Sequence, residues 1–122
     1  MHAAVTFPGT FGGVFAQSGS FFLPRFDAHE QRFAFYRRVV DFVDRLDAEP
    51  ARLAGLRIAQ TSGLGEENLD NNRALDARLR RHGVDSSLTE GRDGHNYTAW
   101  RDLLDPVLGD LLSRVWGIRL GG

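Results

Sequence analysis

The chain has no cysteine. Disulfides, thiolate catalysis and cysteine-based zinc sites are therefore excluded, and the absence fits a reducing compartment. Neither sign of charge is in excess: 15 basic residues stand against 16 acidic ones, a net charge of −1. That gives no electrostatic footprint for nucleic acid, and the scattered arginines read as solvated helix faces. No apolar run approaches the roughly 20 residues of a membrane span. Met1 to Val5 has neither the basic nor the apolar region of a signal peptide. Together these absences predict a cytoplasmic protein with no nucleic-acid and no membrane partner.

What is present suits a packed core. The chain has 122 residues, 42% of them hydrophobic, so it is one domain or part of one. Met1 to Val5 reads as the last turn of a helix, because Phe7-Pro8-Gly9-Thr10 signals a turn directly after it. Gly13 to Gln17 is a short apolar run between glycine and serine clusters, the pattern of a buried parallel strand. Asp27, with Glu30 three positions on, resembles a capping box and predicts a helix running to Glu49-Pro50. Its apolar residues fall on two adjacent stripes, Phe33-Tyr36-Val40-Val43 and Phe35-Val39-Phe42-Leu46, so the helix should be widely covered.

Leu56 to Gln60 is the second strand, followed by the loop Thr61-Ser62-Gly63-Leu64-Gly65. Glu66 should open a helix to about Arg81, with acids at its start, arginines at its end and Gly83 as its stop. Val84 to Glu90 is a more polar strand suited to a sheet edge. After the loop Gly91-Arg92-Asp93-Gly94-His95-Asn96 comes a stripe of Trp100, Leu104, Val107, Leu111 and Val115. Pro106 should divide it, a short turn before and the final helix after. The alternation predicts an α/β fold, a mostly parallel sheet flanked by helices. With so few strands the sheet reads as incomplete.

In parallel sheets, reactive groups collect at the carboxyl ends of strands. Here those loops hold Ser18 and Ser20, then Glu66 and Glu67, then Asp93 and His95. Serine, acid and histidine follow in the chain order of α/β-hydrolases. Ser18 and Ser20 lack the Gly-x-Ser-x-Gly elbow, so they read as strand caps lining a pocket; a minimal hydrolase with Ser18 as nucleophile is the alternative. His95 is a general base or an ordinary surface residue on a flexible loop. Glu66 is the acid that orients it or decoration at a helix start, with Glu67, Asp93 and Asp70 as further candidates. His2, His29 and His82 have no partners at metal-ligand spacing, so neither a metal nor a cofactor is expected.

Three segments resemble the enterochelin (enterobactin) esterase family of α/β-hydrolases. Phe7 to Phe21, with its proline turn and Gln17-Ser18-Gly19-Ser20, is similar to the stretch after the family's elbow helix. Gly63-Leu64-Gly65-Glu66 and Asn72-Arg73-Ala74-Leu75 resemble its Gly-x-x-Glu strand exit and Asn-x-Ala-Leu helix. Gly94-His95-Asn96-Tyr97-Thr98-Ala99-Trp100-Arg101 resembles its Gly-His-Asp-x-x-x-Trp-Arg motif. Asn96 departs from the usual aspartate, keeping hydrogen bonding but dropping a charge. The spacing from Glu66 to Asn72 leaves the acid open between Glu66 and Glu67. The segment from Asp27 to Glu49 lies where the family varies and would form part of a pocket wall.

The resemblance implies that residues 1–122 are the C-terminal part of one esterase domain, with His95 as base and Glu66 as acid. It implies ester hydrolysis through a serine acyl-enzyme, the family's best-known substrates being siderophore trilactones. The nucleophile elbow, oxyanion hole and first strands would then precede Met1, and this chain alone would be nearly inactive. The alternative is a non-catalytic remnant acting as an interaction module, joining another protein or itself through an exposed sheet edge.

Overall fold

The computed structural model describes residues 1–117. Its elements are α1 (His2–Thr6), β1 (Gly13–Gln17), a 3₁₀ turn (Ala28–Arg32), α2 (Tyr36–Ala48), a second 3₁₀ turn (Pro50–Leu53), β2 (Arg57–Gly63), α3 (Leu69–Arg81), β3 (Asp85–Gly91) and α4 (Tyr97–Trp116). The strands form one parallel sheet in the order β1-β2-β3. Gly13 lies opposite Arg57, and Arg57 opposite Asp85, so the three strands start level.

Side chains alternate across the sheet and select the helix that covers each face. Ile58 packs with Leu75 and Leu79 of α3 and with Val43 and Leu46 of α2. On that face Ser86 donates to Asp76 and Arg73 donates to Glu90. Leu46, Leu53, Ile58, Leu75 and Leu79 are at most 1% exposed and form the centre of the core. The opposite face belongs to α4. A Cβ on Gly13 would meet the Val115 side chain at 2.7 Å, which explains why a residue without one stands there. The result is a three-layer α/β arrangement with the sheet in the middle.

Several elements differ from their sequence-based expectations. The helix predicted from Asp27 to Glu49 is α-helical only from Tyr36 to Ala48. Asp27 does not cap it. Its carboxylate turns backward, accepting from the Leu23 amide at 2.7 Å and from Asn71 Nδ2 at 3.1 Å, while its side chain is buried. Phe33 and Phe35 therefore fall outside the regular helix and are 48% and 51% exposed. β2 runs three residues past Gln60, because Thr61, Ser62 and Gly63 stay paired with Thr89, Glu90 and Gly91. α3 starts at Leu69, not Glu66, since the Glu66 carboxylate is engaged elsewhere.

Pro106 does not divide the last helix. It lies inside a continuous α4, where it removes one donor to the Asp102 carbonyl. Both residues are exposed, so the missing bond falls on the solvent side of the helix. Sheet contacts on either side of the proline, by Leu103 and by Leu111 with Val115, hold the helix in one piece.

Two substitutions test this layering by urea unfolding. Leu79→Ala should cost about 2–5 kcal/mol. Pro106→Ala should restore the missing bond and raise stability, by at most about 3 kcal/mol. A loss of stability in Pro106→Ala would contradict the continuous helix.

Candidate active site

The three strands end side by side, and each exit segment contributes one part of a polar cluster. The β2 exit supplies Glu66. The chain turns tightly there: the Glu66 amide donates to the Gly63 carbonyl at 3.1 Å, and the Gly63 amide donates to Glu66 Oε1 at 2.8 Å. The carboxylate folds back over the strand end, leaving its side chain 1% exposed.

The β3 exit supplies His95. Its loop crosses directly over β2, where a Cβ on Gly63 would collide with the Asp93 carbonyl. Gly63 is thus the glycine this crossing requires. Gly94 has no positive φ and open space around it, so the crossing does not depend on a glycine there. The crossing brings His95 Nδ1 to 3.3 Å from Glu66 Oε2. Asn96 then caps α4, its side chain accepting from the Ala99 amide at 2.9 Å. An amide oxygen suffices for that cap. Trp100, one turn into α4, stands edge-on to the imidazole with ring centroids 4.9 Å apart.

The β1 exit supplies Ser18. Its Oγ donates to Glu66 Oε1 at 2.7 Å and accepts from Trp100 Nε1 at 2.9 Å. Gln17 Nε2 donates to the Trp100 carbonyl at 2.8 Å, and Asn72 Nδ2 to the Gly19 carbonyl at 2.8 Å. The end of β1 is thereby tied to both α4 and α3.

A buried carboxylate is tolerated only when its oxygens are fully engaged. Glu66 meets that condition with donors from Gly63, Ser18 and His95. An ionised carboxylate can only accept, so the neutral imidazole must carry its proton on Nδ1. That assignment leaves a lone pair on Nε2, on a side chain 58% exposed. The ring is oriented from behind and open in front, as a general base must be.

Among the acid candidates, only Glu66 reaches His95 within the described residues. Glu67 is 79% exposed and faces His29 at 3.5 Å, and Asp70 lies 3.5 Å from Arg73. Asp93 contributes its carbonyl to the crossing over Gly63. Ser20 is exposed. Ser18 Oγ bonds Glu66 and Trp100 and not His95: its proton goes to Glu66, so it does not serve as the nucleophile activated by His95. Ser18 and Trp100 both stand in the resembling segments, but the bond that gives them their supporting parts joins residues 82 positions apart, which spacing could not show.

Other polar groups lie outside this cluster. His29, Glu30 and Glu67 bring ligand atoms within 4.8 Å of one another, through a contact between loops that sequence spacing could not reveal. On the surface His29 Nε2 lies 3.7 Å from Glu30 and 3.5 Å from Glu67. Arg73 grips Glu90 with two bonds of 2.7 Å, which holds the Glu90 carboxyl below its usual range and raises the guanidinium. A hollow of about 690 Å³ opens past the end of β1, between Ser20, Phe21, Val39 and Phe42, and does not include His95. No described helix is long and apolar enough to cross a membrane.

Glu66→Gln tests the proton assignment. The amide oxygen must remain with Ser18 and Gly63, so the NH₂ would face His95 and donate to Nδ1. The neutral ring should then carry its proton on Nε2, reversing the native state, as ¹⁵N spectra of the imidazole would report. An unchanged tautomer would show that Glu66 does not orient the ring.

No protein-family model, no curated protein and no solved structure matches the chain.

Proposed function

We propose that the chain carries the acid and base of a serine carboxylic-ester hydrolase of the α/β-hydrolase kind, similar to the enterochelin esterases. The observation that carries this reading is the Glu66–His95 pair at the carboxyl ends of parallel strands, with the His95 side chain 58% exposed. The sheet order and the helices on both faces are compatible with part of such a fold. The substrate class is a small-molecule ester, and the resemblance of the three sequence segments points toward siderophore esters.

In this reading His95 Nε2 removes the proton of a serine hydroxyl supplied by polypeptide beyond the described residues. The serine oxygen attacks the ester carbonyl. His95 returns the proton to the leaving alcohol, and the acyl-enzyme remains. A water then gives its proton to Nε2 and its oxygen to the acyl carbon, releasing the acid and the serine. Throughout, Glu66 stabilises the imidazolium and keeps its second nitrogen aimed at the reacting atoms. The sequence calls for no metal or cofactor in these steps.

A second reading rests on a separate observation. β1 is an edge strand without a charged residue, whereas β3, the other edge, carries Asp85 and Glu90 in ion pairs with arginines. Natural edges are normally blunted by charge. A non-catalytic module would pair through β1 with another protein or a second copy, and sedimentation would then show association.

Activity against an activated ester decides between them. The 122-residue chain alone should show no His95-dependent turnover. Coding sequence upstream of Met1, read in frame, should encode Gly-x-Ser-x-Gly, and the extended protein should hydrolyse the ester. There, His95→Ala should lower kcat to the roughly 10³–10⁴-fold residual enhancement over water typical of a broken triad. Absence of the elbow, or full activity in His95→Ala, would overturn the esterase reading.

A further inference from the structure

We propose that Ser18 is a positioning residue for the Glu66–His95 pair, locked in place by a hydrogen-bond chain that runs in one direction from Trp100. Among the described residues Ser18 is the only non-glycine with positive φ, at +50°. That conformation is disfavoured for side chains other than glycine, asparagine and aspartate, and it persists where surrounding structure demands it. The demand is visible. The Ser18 amide donates to the Thr61 carbonyl at 2.8 Å, closing the last bond to β2, and the left-handed twist then aims Oγ at Glu66. Ser18 is buried, so the hydroxyl has no competing solvent.

The direction of the chain follows from chemistry alone. An indole N–H can only donate, so Trp100 makes the Ser18 oxygen an acceptor. The single hydroxyl proton is left for Glu66 Oε1. That oxygen also takes the Gly63 amide, so its lone pairs are committed to two donors. The second oxygen, Oε2, is what remains for His95. Ser18 therefore fixes the rotation of the carboxylate, and the carboxylate fixes the ring. Trp100 closes the circuit by packing against the same imidazole in a T-shaped pair, ring centroids 4.9 Å apart. The kinetic meaning of this device rests on the ester-hydrolase reading, but the orientation itself does not.

The test reads the tautomer of the neutral His95 ring by ¹⁵N NMR in the full chain. Ser18→Gly removes the hydroxyl while relieving the positive φ, so the variant should fold at least as stably as Ser18→Ala. In Ser18→Gly the ratio of Nδ1–H to Nε2–H should fall by about tenfold, the worth of one charge-assisted hydrogen bond. Trp100→Phe keeps a ring beside His95 but frees the Ser18 hydroxyl, and should lower the ratio less. A folded Ser18→Gly with the native ratio would overturn the proposal, leaving Ser18 a strand terminus only. Should Ser18→Gly fail to fold, an unchanged ratio in Trp100→Phe would overturn it equally. Either result would leave the Glu66→Gln measurement, and with it the acid–base pair, intact.

Discussion

The Glu66 carboxylate is buried, and its charge must be met by donors drawn from all three strand ends. Gly63 supplies one from β2, Ser18 one from β1, and His95 one from the loop after β3. Each donor imposes a local constraint. The Gly63 amide reaches the carboxylate through the tight turn that delays α3 until Leu69. Ser18 reaches it by adopting a strained backbone. His95 reaches it because its loop crosses over a residue with no side chain. The parallel sheet makes this convergence available, since level strands of one direction bring their exits to one edge.

Much of the scaffold was legible from local pattern. β1 matches its expected bounds, since a short apolar run between glycine and serine clusters has few other solutions. The polar third strand does lie at an edge of a parallel sheet. The misreadings came from polar side chains whose partners are distant. Asp27 looked like a forward cap, yet its carboxylate bonds Asn71, 44 positions away. Glu66 looked like the first residue of a helix, yet it bonds Ser18 and His95. Pro106 looked like a boundary because its missing amide is a local fact, whereas the sheet contacts that keep α4 continuous are not.

The site shows the same division. His95 and Glu66 stood out because they occupy strand exits, and the resemblance to esterase motifs singled them out among several candidates. Geometry separates Glu66 from Glu67, neighbours in sequence that point into different surroundings: one into the cluster, one toward solvent and His29. Ser18 was visible as a residue type but not as a role. A hydroxyl with two possible functions takes its meaning from what it touches, here an indole and a carboxylate 82 and 48 positions along the chain.

In this geometry a buried carboxylate holds a proton on the inner nitrogen of an exposed imidazole and leaves the outer nitrogen bare. The most direct measurement is the low-field ¹H spectrum of the ¹⁵N-labelled wild-type chain, with the His95 signals assigned. A proton resonance bonded to Nδ1 of His95 should appear, protected from exchange by the Glu66 bond. A neutral His95 ring protonated on Nε2, with Nδ1 bare, would contradict it.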